Sequence, residues 1–260
     1  MFLVTVTPSG EPQPDLECPA HIIPADPFVI RVLTDGFLST YLMTDEGFEL
    51  VESPLTGCGD TRRVRSITIQ YAHSDRILRL AKTMVGGRPL YYYFGPRGKF
   101  FCSTHISMLA TAGVRLEENR EVLPEYFVYR FVMPPQTMFR GVLDLPPGSH
   151  LDVTVDLSGC RPAAVHGFDP PAPHLEMSVP AAAERTLALL RGGLQSLDGA
   201  QARTAVLLSG GIDSSILHKE AARAFGSRES YSTEYPFDVP MLRRARGSTL
   251  LAATALCRYR

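Results

Sequence analysis

The chain lacks any run approaching the ~18 consecutive apolar residues of a membrane span. Its first ten residues, MFLVTVTPSG, have no basic stretch, and their apolar run is too short for a secretory leader. It lacks a cysteine framework. The five cysteines, Cys18, Cys58, Cys102, Cys160 and Cys257, are odd in number, scattered and never spaced as CxxC. That speaks against a zinc site or a disulfide staple and fits a reduced, cytoplasmic setting. It lacks net charge: 26 Lys and Arg against 27 Asp and Glu leave −1. The whole chain therefore has no electrostatic pull toward nucleic acid or an anionic membrane, and neither is expected as a partner. Internal repeats are missing, as are the Gly-Lys-Ser/Thr of a Walker loop and a dinucleotide GxGxxG string.

What is present suits a globular protein. The 260 residues are enough for one large domain or two ordinary ones, with 45% hydrophobic and 20% charged residues. The first sixty residues are poor in signal. EPQPDLECPAHIIPADP reads as Pro-rich loops, and the apolar runs around Asp35-Gly36 and Asp45-Glu46-Gly47 suggest β-hairpins. From Val64 the patterns sharpen. RSITIQYAHSD alternates as a half-buried strand, RILRLAKTM is a further apolar run, and Gly86-Gly87 is a turn. RPLYYYFGPRGKFFCST reads as strand, turn at Gly95–Gly98, strand, with its aromatics at strand spacing and so mostly core. Short helices are expected from about Ser103 to Gly113 and over 123–132, the latter with Pro124 in its first turn. Leu151, Val153, Val155 and Leu157 alternate with Asp152, Thr154 and Asp156, the pattern of another strand. PPAPH, at 170–174, is a linker by composition. Beyond it SVPAAAERTLALLRGGLQSL predicts a helix, capped by Ser178, with Leu187, Leu190, Leu194 and Leu197 on its inner face.

The stretch AVLLSGGIDSSIL, residues 205–217, carries the strongest chemical signal. A buried strand (TAVLL), a tight Gly-Gly turn and a helix from about Asp213 to Phe225 follow one another. Gly210 and Gly211 let the backbone bend and approach a ligand without a Cβ in the way. The helix start offers unpaired N–H groups and a positive dipole end, which favour an anion. Ser209, Ser214 and Ser215 add hydroxyls. Asp213 would repel phosphate, and a Mg²⁺ ion between them reconciles the two.

The string Ser-Gly-Gly-Ile-Asp-Ser-Ser resembles the PP-loop of the N-type ATP pyrophosphatases, which split ATP between its α and β phosphates. Upstream, Gly87, Arg88, Pro89, Leu90, Tyr91 and Tyr92, followed by Phe101, Cys102 and Ser103, are similar to strings of the glutaminase domain of class B asparagine synthetases. TMFRGVLDLPPGSHLDV is similar to that family's Thr-x-Phe-x-Gly-Val-x-x-Leu-Pro-Pro-Gly string. The resemblance covers residues about 64 to 217, and at its widest reaches 238. It implies an α/β chain with an α+β N-terminal part: an Ntn-hydrolase-like antiparallel sandwich, then the start of a Rossmann-like parallel-sheet PP-loop domain. The expected division is a degenerate glutaminase-like domain over 1–165, a linker over 166–177 and a partial PP-loop domain over 178–260. The implied nucleotide contacts are Leu208, Ser209, Gly210, Gly211, Asp213, Ser214, Ser215 and Thr233, with ATP and Mg²⁺ as cofactors and Asp213 as the metal ligand.

The departures from the family are as informative. Its glutaminase nucleophile is a cysteine directly after the initiator Met, whose own amine assists. Here residue 2 is Phe2, and Cys18 lies mid-chain with no free amine. The Asn-Gly-Glu string that holds glutamine is missing too. No glutamine hydrolysis and no catalytic residue of that kind are therefore expected. β-Lactam synthetases and lasso-peptide cyclases resemble the same family and likewise do without glutaminase work. Past Asp238 the resemblance stops. VPMLRRARGSTLLAATALCRYR holds Arg243, Arg244, Arg246, Arg258 and Arg260 and no acid, and reads either as a basic amphipathic tail or, in the favoured reading, as a chain ended early by a shifted frame at about residue 239.

The expected function is an asparagine synthetase-like, ATP-dependent amide-forming ligase that adenylates a small-molecule or peptide carboxylate and releases pyrophosphate. The alternative is a non-catalytic nucleotide-binding remnant or subunit that needs a second chain to complete its synthetase domain. A different PP-loop enzyme, such as an NAD synthetase or a tRNA-modifying thiolase, fits the upstream strings less well.

Overall fold

In the computed structural model, residues 1–11, 20–34, 39–52, 66–84, 88–167, 176–195, 205–225, 229–234 and 254–258 are described. They fall into two compact units, one holding the described residues up to Gly167 and the other those from Glu176 on.

The first unit is a pair of antiparallel sheets. Its strands are β1 (Phe2–Pro8), β2 (Ala20–Ala25), β3 (Phe28–Thr34), β4 (Ser39–Thr44), β5 (Gly47–Glu52), β6 (Ile67–Ala72), β7 (Ile77–Lys82), β8 (Tyr91–Phe94), β9 (Phe100–Ser103), β10 (Val142–Asp144), β11 (His150–Asp156) and β12 (Gly159–His166). One six-stranded sheet has the order β10-β8-β9-β1-β3-β2 and the other β12-β11-β7-β6-β5-β4. The alternation of side chains along each strand decides what faces what. Phe2, Val4 and Val6 of β1 point into the space between the sheets with Ile30, Phe100, Leu50, Ile69, Leu80 and Val153. Leu3, one residue out of phase, joins Phe101, Val142 and Leu109 on the opposite face of the first sheet. Leu109 belongs to α1 (Ile106–Thr111), so this helix covers that face. The outer face of the second sheet is polar: Arg79 grips Asp152 with two bonds of 2.7 Å, and Gln70 donates to Glu49. A buried Lys82 on β7 donates to Asp144 on β10 and to the Leu145 carbonyl, tying one sheet to the other. At another point the two sheets meet through glycines. A Cβ added to Gly159, in the β11–β12 hairpin, would lie 2.4 Å from the Gly98 Cα, in the β8–β9 turn. Both have positive φ, 126° and 70°, so only glycine fits either place without strain.

Several expectations need correction. Ala20–Ala25, read as loop, is β2, paired to β3. Its Pro24 is compatible because β2 lies at a sheet edge, where a missing N–H costs no ladder bond. Asp35-Gly36, read as a hairpin turn, lies outside the described residues, and β3 and β4 on either side of it belong to different sheets. The Asp45-Glu46-Gly47 hairpin does form, joining β4 to β5. Leu157, expected inside with Leu151, is 79% exposed because the chain turns there into β12. Asp152, expected outside, is buried under its Arg79 pair. α2 spans Leu123–Tyr129 and stops at Arg130, whose φ is 66°. β10 and β12 were not anticipated. Gly86-Gly87, Cys18, Cys58 and the PPAPH linker lie outside the described residues.

The second unit contains α3 (Val179–Gln195), β13 (Ala205–Leu207), α4 (Ile212–Phe225), β14 (Glu229–Glu234) and β15 (Thr254–Arg258). The three strands form a parallel sheet in the order β13-β14-β15. Leu194 of α3, Val206 of β13 and Ala221 of α4 make its buried cluster, with Leu190 against it. Ser178 caps α3 through the Ala181 N–H at 3.4 Å. Leu187 and Leu190 are half-buried, and Leu197 lies outside the described residues. The strand expected to be buried is only partly so: Val206 is, whereas Ala205 and Leu207 are exposed, because a strand's alternate side chains leave one face uncovered. In the region read as a tail, Thr254–Arg258 adds a strand beside β14.

Candidate functional site

The loop after β13 is built by three local constraints. The Leu208 N–H donates to the Tyr231 carbonyl at 2.8 Å, continuing the parallel pairing one residue past the strand. Buried Ser232 on β14 donates its hydroxyl to the Leu208 carbonyl at 2.6 Å. Gly210 then turns the chain with φ 79°, a conformation costly for other residues. α4 begins at Ile212, one residue earlier than expected.

Within this turn the predicted residues converge. Ser209 and Ser214 hydroxyls lie 3.0 Å apart, and the Gly211 N–H points at Ser209 Oγ at 3.3 Å. The Ser214 and Ser215 hydroxyls donate to the Gly211 carbonyl at 3.2 and 2.7 Å, holding the first turn of α4. Asp213 is exposed in that first turn. The residues from Leu208 to Ser215 thus form one turn at the N-terminus of a fourteen-residue helix, with Leu208 and Gly210 buried and Ser209, Asp213 and Ser215 exposed, where amide groups without helical partners collect. Thr233 lies on β14 two residues beyond Tyr231, level with the C-terminal end of β13, and pairs through its backbone with Cys257. The C-terminal ends of parallel strands are where open sheets bind ligands. Asp213 is the single carboxylate in the first turn of α4. Among the described residues no group of three His, Cys, Asp or Glu is placed to hold a metal. A Mg²⁺ ion is compatible with this, since it characteristically uses one or two carboxylates and fills its remaining positions with phosphate oxygens and water.

Sequence reasoning missed Ser232, which anchors the loop's first residue; its signal was only a serine next to Thr233. It also missed Glu220 on α4, buried yet bonded by Arg191 of α3 at 2.7 Å and by Arg223 at 2.6 Å. That pair sets the two helices against each other behind the loop.

In the first unit, Phe2 occupies the start of β1 and is 1% exposed. Its carbonyl accepts the buried Ser103 hydroxyl at 2.6 Å, and Ser103 Oγ also receives the His105 N–H at 3.1 Å. Arg88 lies 3.5 Å from Glu52, and Leu90 donates to Asp144 at 3.1 Å, so these residues of the RPLYY string are structural struts. Cys102 and Cys160 are buried free thiols. Burial pushes both up, Cys160 to about 12 with the Asp156 charge adding to it. Neither forms a thiolate nucleophile at neutral pH.

Among the described residues, two cavities of this unit bear on its chemistry. One, of about 340 Å³, is lined by Thr7, Tyr93, Phe101 and Arg115 and rimmed by the ion pair of Lys99 with Glu11. The other, of about 230 Å³, lies beside α2. Among the described residues no helix is long and apolar enough to cross a membrane.

A glutamine amidotransferase domain model matches residues 66–161. The match runs from β6 into β12 and leaves out β1, where Phe2 sits. A mixed, sheet-rich unit of two antiparallel sheets that is similar to this domain fits an amidotransferase-type, Ntn-like sandwich. Comparison with curated proteins gives no match.

Proposed function

We propose that the chain is an asparagine synthetase-like ATP-dependent ligase. It would adenylate a carboxylate and pass it to an amine without hydrolysing glutamine. What carries the reading is the SGGIDSS loop between a parallel strand and a helix, with Thr233 on the neighbouring strand end. In this proposal residues 1–165 are a degenerate glutaminase-like domain and 178–260 a partial PP-loop domain of Rossmann-like type, joined by 166–177. Gly210 and Gly211 give phosphate access to the backbone. The N–H groups opening α4, with Ser209, Ser214 and Ser215, receive the pyrophosphate, and a charge held there is worth most where it develops in the transition state. Asp213 would hold Mg²⁺, which neutralises phosphate charge when bound. A substrate carboxylate oxygen bonds to the α-phosphorus while the bond to the β-phosphate oxygen breaks, and pyrophosphate leaves.

The proposed lack of glutamine hydrolysis draws on β1, which carries a buried phenyl group at Phe2 and no cysteine. ATP–pyrophosphate exchange in the presence of carboxylates tests the ligase reading. Exchange abolished by Asp213→Ala supports it, and none with any carboxylate, alone or with a second chain, counts against it.

A second reading, a nucleotide-binding subunit completed by another chain, draws on one observation. Leu207, Ile212 and Ile216, which flank the loop, are exposed apolar residues, Leu207 at 79%. Calorimetry with ATP and Mg²⁺ separates the two: tight binding without turnover favours the subunit.

A further inference from the structure

The cavity beside α2 has a composition the loop chemistry does not use. Its lining includes four aromatic residues, Tyr91, Tyr126, Phe131 and Phe139, and one charged residue, Asp144. At about 230 Å³ it falls below the ~300–1,000 Å³ of pockets for drug-sized ligands, so it suits a compact group rather than a nucleotide. Asp144 is fixed from behind: Lys82 Nζ and the Leu90 N–H both donate to its Oδ1, at 3.2 and 3.1 Å. Among the described residues no hydrogen bond reaches its Oδ2. Lys82 is buried and does not line the cavity, so it braces the carboxylate without occupying the mouth. Burial and, next, the Asp144 charge push the Tyr91 phenol up.

We propose that this cavity binds a compact organic ammonium group, surrounded by the four rings and met by Asp144 Oδ2. Aromatic faces carry a negative quadrupole that attracts cations, most strongly where water is excluded. The ring faces disfavour an anion, and a neutral group gains burial alone; the Asp144 charge is shared with Lys82, so the rings supply most of the preference. The proposal is independent of the ligase reading, and pyrophosphate exchange has no part in its test.

The probe is choline, set against its uncharged analogue of similar shape, 3,3-dimethyl-1-butanol, both titrated calorimetrically into the full chain. Choline is expected to bind about tenfold tighter or better, the combined effect of rings and carboxylate. Phe131→Leu and Tyr126→Leu keep apolar bulk but each remove a ring. Each should weaken choline about threefold and leave the alcohol unchanged. Phe131 is 54% exposed, so its replacement leaves the fold intact and the test readable. Absence of choline binding, equal affinity for the two probes, or choline affinity untouched by both variants overturns the proposal.

Discussion

Gly98 and Gly159 show how much a single missing side chain can decide. Each lies in a hairpin turn of a different sheet, and a Cβ on either would sit inside 2.5 Å of the other's backbone. Gly159→Ala is expected to destabilise the first unit by about 1–3 kcal/mol or more, since neither the backbone contact nor the positive φ can relax cheaply. A lowered urea midpoint with an unchanged slope checks it. The sequence made Gly98 readable, because Gly95-Pro96-Arg97-Gly98 is turn chemistry. Gly159 gave no such warning, since its partner is sixty-one residues away in the chain and joins it only through the packing of the two sheets. The loop residues divide the same way. Ser209 to Ser215 were legible because glycine, serine and a helix start adjoin. Ser232 was not, because its role is a bond across the sheet to the Leu208 carbonyl. Ser232→Ala removes that buried bond and leaves an acceptor unmet, a cost of about 1–3 kcal/mol. It should also weaken any nucleotide affinity that Asp213→Ala weakens, measured by the same calorimetry.

At the scale of elements, periodicity located most strands from Ile67 to Asp156 and both long helices, since alternation and helical spacing are local properties. It failed for β1 and β2. MFLVTVT is buried on both faces and so shows little alternation, and β2 carries a proline that a central strand would not accept. The pairing of α3 with α4 has a pH signature. The Arg191 hydrogen bond, followed by the charges of Arg191 and Arg223, holds the Glu220 carboxyl below the usual carboxylate range. A carboxyl lowered in the folded state adds stability that is fully present above its unfolded value, about 4.3 for Glu. That stability is lost as pH falls through the lower folded value. Glu220→Gln should therefore lower the urea midpoint of the second unit at pH 7 and differ little from the parent chain near pH 2. A gap of equal size at both pH values would remove the ion pair as its cause.

For the whole molecule, the described residues of the two units bury apolar side chains to unequal extents. The first fills the space between its sheets with residues from nearly every strand, whereas among the described residues of the second the buried cluster is Leu194, Val206 and Ala221. Hydrophobic burial dominates folding free energy, so the second unit is expected to melt at lower urea concentration. Helix ellipticity, to which α3 and α4 contribute the longest segments, should fall before tyrosine near-ultraviolet signals from the sandwich; a single coincident transition would refute separate unfolding. The position of β1 adds a kinetic dimension. Leu3 is paired on one side with Leu33 and on the other with Ser103. The strand that divides the first sheet must therefore wait for a partner from a remote part of the chain before its second edge is covered. Loop closure of that length is an entropic toll collected ahead of any reward, and topologies with such distant pairings fold slowly. During that wait β1 presents an unpaired apolar edge, so an inner strand of the finished sheet is an aggregation hazard on the way to it.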